Sequence, residues 1–308
     1  MLSSTAFWTS AAGSLSLILG FILYRRDIAA ARGLDKLIVL GPVFVAASLA
    51  TFGAEHLRAG HFMADMVPHW IPWHVFWIYF VGLCLLAAAL SFLFRRCVAW
   101  SAPLLATLFL IFVFTMDLPA TLAQPANRIN WVLMFRETVF AAGALALTAT
   151  AVRHIAATTP EGTVAQPLKP LAVIARIIFG AVLVFYGVQH FLHPEYVIGV
   201  PLDKITPAWI PIHAFWAGLT GAIELIAGVA LLINQRPRLA AAIVGAVNTA
   251  LVLFFYTPIL ATCRGTVQVV EGINYVFDTL LFAGAVLLLA AAMPQTDVEK
   301  AKPHPMST

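Results

Sequence analysis

Charge is scarce in this chain. Asp, Glu, Lys and Arg together make up 10% of its 308 residues, whereas 61% are hydrophobic. A water-soluble surface cannot be built from so little charge, which excludes an ordinary soluble domain. Cysteine is scarce too: Cys84, Cys97 and Cys263 are the only three. Each stands alone, on or at the end of a different apolar run, so no disulfide framework and no CxxC redox pair is present. Also missing are a CxxCH haem attachment, a glycine-rich nucleotide fingerprint, an HExxH zinc helix and a Ser or Cys placed as an activated nucleophile. Any electrons the protein handles must come from a partner or from a bound ligand.

What the chain has in abundance is apolar runs of membrane-spanning length. About nine are visible, from Phe7–Tyr24 through Ile273–Met293, each long enough for a hydrocarbon core of about 30 Å. The fold class expected is an all-α integral membrane protein of about nine transmembrane helices. Basic residues alternate between the loops: Arg25, Arg26, Arg32, Lys36, Arg95, Arg96, Arg153, Lys169, Arg236, Arg238, Lys300 and Lys302 fall in one set. Only Arg58, Arg128, Lys204 and Arg264 fall in the other. By the positive-inside rule this predicts a bacterial inner-membrane protein with its N-terminus periplasmic and its C-terminus cytoplasmic. The net charge of +4 is then a matter of topology and gives no reason to expect nucleic acid. The first run has no basic leading segment and is read as a retained anchor helix, not a cleaved signal.

A phrase is written twice. "WIPWHVFW" (Trp70 to Trp77) returns 139 residues later as "WIPIHAFW" (Trp209 to Trp216), and "GAEH" (Gly53 to His56) has its counterpart in "GVQH" (Gly187 to His190). Gly82 matches Gly221 and Pro119 matches Pro258. The reading is an anchor helix and basic loop over 1–33, a four-helix unit over 34–152, a cytoplasmic linker over 153–167, a second four-helix unit over 168–293 and a tail over 294–308. With an even number of spans per unit, the copies share one orientation. Two side-by-side four-helix bundles forming a parallel repeat are therefore expected, in contrast to the inverted pairs of many transporters. Pro72 and Pro211 suit the first turn of a helix, and the tryptophans beside them suit headgroup depth.

The stretches "RIIFGAVLVFYGVQHF" (Arg176 to Phe191) and "GAIELIAGVALLI" (Gly221 to Ile233) resemble the DoxX-like family of four-helix membrane proteins. The second unit is similar over its length; the first is a diverged copy, with Pro42 in place of the helix-opening arginine and Leu85 in place of Glu224. The resemblance implies a subunit accompanying a membrane redox system, since the namesake is similar to the small subunit of a thiosulfate:quinone oxidoreductase. It supplies no catalytic motif to carry over.

The polar residues mark candidate sites. Seven of nine histidines lie in or beside the two long outer loops. Each unit gathers one polar residue per helix near that end: His56, His74, Asp117 and Glu137 in the first, His190, His213, Tyr256 and Asp278 in the second. Ionisable groups within spans usually face a bundle interior and mark functional pathways. Glu224 is a further mid-membrane acid, with Arg176 as the simplest expected partner. A quinone headgroup suits such a set, because it needs hydrogen-bond donors at its carbonyls and a nearby proton carrier. Copper is a second chemistry, with His56, His61, Met63, Met66 and His69 as its ligands.

Two other readings stay open: interfacial placement of single histidines with polar networks that only specify helix packing, and a non-catalytic or chaperone-like scaffold for partner proteins. A small-molecule transporter is a third. The leading expectation is a quinone or similar amphipathic ligand bound near the periplasmic face by a subunit of a quinone-linked oxidoreductase, with membrane lipid and a redox protein as partners.

Overall fold

The computed structural model describes residues 2–158 and 169–294; most of the expected linker, and the tail with His304, lie outside the described residues. Nine long helices account for them: α1 (Leu2–Ala30), α2 (Asp35–Ala59), α3 (His74–Phe94), α4 (Val98–Ala123), α5 (Arg128–Thr158), α6 (Lys169–Leu192), α7 (His213–Leu232), α8 (Pro237–Thr262) and α9 (Thr266–Ala292). All nine are long and apolar enough to cross a membrane. An unbroken helix satisfies its own backbone polar groups, which is what a lipid interior demands.

The helices form a ring. Each of α2 to α9 packs against its neighbour in sequence, and α9 closes the ring on α2. Helices α5 and α9 also meet across the middle, dividing the ring into two compartments. The walls are thereby shared, so the first compartment, between α2, α3, α4 and α5, takes α9 as its inner wall. The second, between α6, α7, α8 and α9, takes α5 on its inner side. Helix α9 is the most buried span, and its core-facing run from Val276 to Ala290 touches both halves. Helix α1 is more than an outlying anchor, because it packs on α2, α3 and α9.

Local irregularities recur 139 residues apart. Trp73 and Ile212 adopt left-handed backbone just before α3 and α7; Arg95 and Asn234 do so after them, and Cys97 and Arg236 just before α4 and α8. Left-handed geometry costs a non-glycine residue about 1–2 kcal/mol, so matched positions reflect a matched packing demand. Both α4 and α8 also widen into a π-turn, at Val113–Asp117 and Val252–Tyr256. Pro119 and Pro258 explain the turns, since each lacks the amide proton and its ring crowds the carbonyl four residues back.

The expectation for Pro72 and Pro211 needs correcting. Helices α3 and α7 start at His74 and His213, so both prolines precede the helix, separated from it by the left-handed residue. Pro72 instead offers its carbonyl to the Trp77 indole N–H at 3.0 Å.

Glycines set the crossings that position the histidines. A Cβ on Gly82 would meet the His56 Cβ at 2.8 Å and the Gly53 carbonyl at 3.2 Å. A Cβ on Gly221 would likewise meet the His190 Cβ at 2.8 Å and the Gly187 carbonyl at 2.9 Å. With no side chain in the way, α2 lies against α3 and α6 against α7 at backbone contact distance, and a histidine is held at each crossing.

Candidate functional site

The first compartment holds a cavity of about 950 Å³. Near its mouth stand Arg58, Phe62, Asp203 and Glu271; its floor is made of Leu49, Leu85, Phe109, Phe140 and Leu281. Thr5 of α1 contributes to its wall. From Val267 to Leu281 along α9, at 1.5 Å per residue, the cavity spans about 20 Å. It is polar at one end and apolar at the other.

Between the two ends sits a cluster of charged and amide side chains. Arg136 of α5 donates to Glu137 Oε1 at 2.8 Å and lies 3.4 Å from Asp278 Oδ1 of α9. Asn274 of α9 donates to Glu55 Oε1 of α2 at 3.0 Å. His56 Nδ1 lies 2.8 Å from the Phe52 carbonyl, leaving Nε2 as the free edge of a cavity-lining ring. Tyr275 also lines the space, and its ring stacks on that of Tyr256 at 6.1 Å. The Arg136 Nε, the Asn274 Oδ1 and the Asp278 Oδ2 are buried without a hydrogen-bond partner among the described residues. Three polar atoms inside a cavity are thus left for a ligand or for water to satisfy.

The expected residues divide among several places. His56, Glu137 and Asp278 line the cavity together. Asp278 therefore joins the first compartment, whereas the repeat alone assigned it to the second set with His190, His213 and Tyr256. Asp117 is partly buried on its π-turn, within electrostatic reach of Glu137 and Arg136, but is no part of the cavity lining. His74 and His213 stand apart at the surface ends of α3 and α7; His213 is exposed, and the His74 ring lies 6.4 Å from that of His69. Of the copper candidates, His56 and Met63 line the cavity, His61 packs edge-on to Tyr79, and His69 and Met66 are exposed; no group of three or more His, Cys, Asp or Glu that could hold a metal exists among the described residues.

The second compartment is built differently. His190, Glu224, Asn248 and Tyr256 are all buried there, and His190 Nε2 lies 3.3 Å from Glu224 Oε2. Arg176, the expected partner of Glu224, donates instead to the Leu231 and Leu232 carbonyls at the end of α7. The distance along α7 decides this, since an arginine near the start of α6 reaches the opposite end of α7 from the histidine crossing.

Over the compartment folds the loop between α6 and α7. His56 and His74 are 18 residues apart but His190 and His213 are 23, and the longer loop carries six consecutive buried residues, Val197 to Leu202. Tyr256 donates to the Ile198 carbonyl at 2.7 Å, and the Gly199 N–H points at His190 Nε2 at 3.2 Å. Arg128 grips the Pro201 and Leu202 carbonyls at 2.6 and 3.4 Å while lying over the Tyr196 ring. Gly199 has φ +92, and a Cβ there would touch Asn248 Oδ1 at 3.0 Å, so glycine is required on both counts. Non-helical backbone at this depth is tolerated because it is buried in protein.

Glu55, Arg136, Asn274 and Tyr275 escaped the sequence reading as site residues. Glu55 lies beside His56 and Arg136 beside Glu137, so "EH" and "RE" carried the signal. For the buried part of the α6–α7 loop, Val197–Leu202, which straps the second compartment, the signal was "YVIGVPL", an apolar run within a long outer loop.

An all-helical bundle of nine helices long and apolar enough to span a membrane, enclosing a cavity polar at its mouth and apolar at its floor, defines a multi-pass membrane protein. Residues 171–257 match the DoxX family model, so the chain carries a DoxX domain over α6, α7 and most of α8. No curated protein and no solved structure matched the chain.

Proposed function

We propose that the first compartment binds a quinone or similar amphipathic small molecule, headgroup at the charged cluster and tail among the apolar residues of the floor. The observation that carries this is the cavity of about 950 Å³ with the unpartnered Arg136 Nε–H at its wall. Small-molecule pockets have volumes of about 300–1,000 Å³ and combine apolar walls with a few convergent polar groups. A quinone carbonyl accepts from Arg136, His56 supplies a second donor or a proton carrier, and Phe52, Phe109, Phe112 and Phe140 border the apolar length. In this reading the protein is the quinone-binding subunit of a membrane redox system.

The same reading makes α2–α5 and α6–α9 a tandem duplication of one four-helix unit, supported by left-handed residues and π-turns repeating at one spacing. It puts the cavity mouth on the periplasmic face of the inner membrane, supported by the gathering of basic residues at the other end.

The test is direct. Protein purified in lipid nanodiscs is extracted with organic solvent and its quinone content measured, then decylubiquinone is titrated into the delipidated protein. About one quinone per chain, with binding weakened at least roughly tenfold in Arg136→Gln by loss of a hydrogen bond to a charged donor, supports the proposal. No bound quinone and no saturable titration in the folded protein overturns it.

A further inference from the structure

We propose that the second compartment is itself a small-molecule site, shut by the chain's own segment Val197–Val200 acting as an internal ligand. Three observations converge on it. The first is its position: Leu85 and Phe109 line the open cavity, and 139 residues later stand Glu224 and Asn248, in the compartment under the strap. His56 and His190 hold the same place at equivalent glycine crossings. One location in the fold is thus empty in the first half and filled by loop backbone in the second.

The second observation is the polarity of what lies beneath the strap. A segment meant only to seal an apolar gap would cover apolar residues. Instead it covers a carboxyl, an amide, an imidazole and a phenol, with Glu224 1% exposed and His190, Asn248 and Tyr256 no more than that.

The third is that the strap satisfies this set incompletely. Glu224 Oε1, Asn248 Oδ1 and His190 Nδ1 are buried with no hydrogen-bond partner among the described residues. His190 Nε2 is also overcommitted: the Gly199 N–H at 3.2 Å needs its lone pair, while the Gly199 carbonyl at 3.3 Å needs a proton on it, with Glu224 Oε2 also 3.3 Å away. One ring nitrogen cannot serve both sides in either tautomer. Buried polar groups left unmatched are costly, so a molecule that pairs them better can compete with the strap.

Their chemistry names the class. Tyr256 donates to the strap's Ile198 carbonyl, so the ligand carries an acceptor. Glu224 and Asn248 Oδ1 accept, so it carries hydroxyl or N–H donors as well. A compact ring bearing hydroxyls, such as a quinol, supplies both. The inference rests on the cavity reading only for this choice of probe.

Opening must release the strap's outer clamps, Arg128 on the Pro201 and Leu202 carbonyls and Lys204 on Glu271 at 2.9 Å. The experiment uses the full chain in nanodiscs, with Cys84→Ala, Cys97→Ser and Cys263→Ser, carrying Val200→Cys as the reporter. Val200 is buried on the strap, so its maleimide labelling reads strap opening. We expect decylubiquinol to speed labelling about tenfold, and Arg128→Ala to do the same without ligand, in line with loss of hydrogen bonds to a charged donor. Should Arg128→Ala fail to fold, Lys204→Ala serves as the release variant.

Two arms separate the sites. In Arg136→Gln, which weakens binding to the first cavity, decylubiquinol must still speed labelling if the second compartment is a site. The proposal is overturned if the quinol leaves labelling unchanged while a folded release variant speeds it, and equally if neither alters it, even when quinone binding to the first cavity is intact.

Discussion

Asp278 on α9 lies 3.4 Å from the Arg136 guanidinium on α5, and this pair joins the last helices of the two halves across the centre of the ring. Glu137 holds the other side of the same guanidinium at 2.8 Å. Removing the arginine leaves two carboxylates together in a partly buried place. Breaking a buried pair from one side costs about 3 kcal/mol, most of it from the uncompensated charge left behind. Arg136→Leu should therefore lower the thermal midpoint in detergent markedly, and Arg136→Leu with Asp278→Asn should recover a good part of the loss. Thermal unfolding of the two singles and the double closes the cycle. Strictly additive losses would mean the two residues do not interact.

The glycine crossing makes a prediction with an internal control. A Cβ on Gly187 would meet the Gly221 carbonyl at 2.7 Å and the Leu225 amide nitrogen at 2.9 Å, both backbone atoms that cannot swing aside. Gly187→Ala should cost about 1–3 kcal/mol through overpacking. Gly218, one turn before Gly221 on the same helix, has nothing nearer than Phe191 at 3.9 Å, so Gly218→Ala should be neutral or slightly stabilising. Denaturation in mild detergent ranks the two, and equal losses would refute a role for backbone contact at the crossing.

The all-helical class, the nine spans and the recurring His–Gly–Trp features were legible because apolar run length and residue identity are local properties. Which side chains face one another was not, because that depends on how helices from different halves pack. Asp278 illustrates it: its position in the repeat pairs it with His190, yet the α5–α9 contact turns it to Arg136. His74 and His213 differ in the opposite way: the repeated "WIP" phrase groups them with the other polar residues, but they stand where α3 and α7 start, whereas the cavity lies beside the crossing of α2 and α3, one loop earlier. The strap was hidden because a six-residue apolar stretch is too short to read as a span and lies where a polar loop is expected.

That distinction is testable. His74→Ala and His213→Ala should leave decylubiquinone affinity within about twofold of the parent, as surface substitutions away from a site usually do, while His56→Ala weakens it. Equilibrium titration of the three variants checks it. A loss of affinity in His213→Ala with none in His56→Ala would move the site away from the cavity described above.

The shape of the cavity sets a limit on ligand length. A tail entering past Glu137 and His56 meets only apolar walls down to Phe140, Leu49 and Leu281. Each methylene buried there gains at most about 0.8 kcal/mol, so affinity across a series of alkyl-substituted quinones should climb with tail length and level off once the tail touches the floor. Leu281→Trp raises that floor without altering the charged cluster, and the plateau should then arrive at a shorter tail while the shortest members bind as before. Membrane partitioning alone also improves with tail length, but it has no plateau set by residue 281. Titrating the series against the parent and Leu281→Trp in the same nanodiscs therefore separates a ligand held in the cavity from one merely concentrated in lipid: a plateau that does not move would show that the tail never enters.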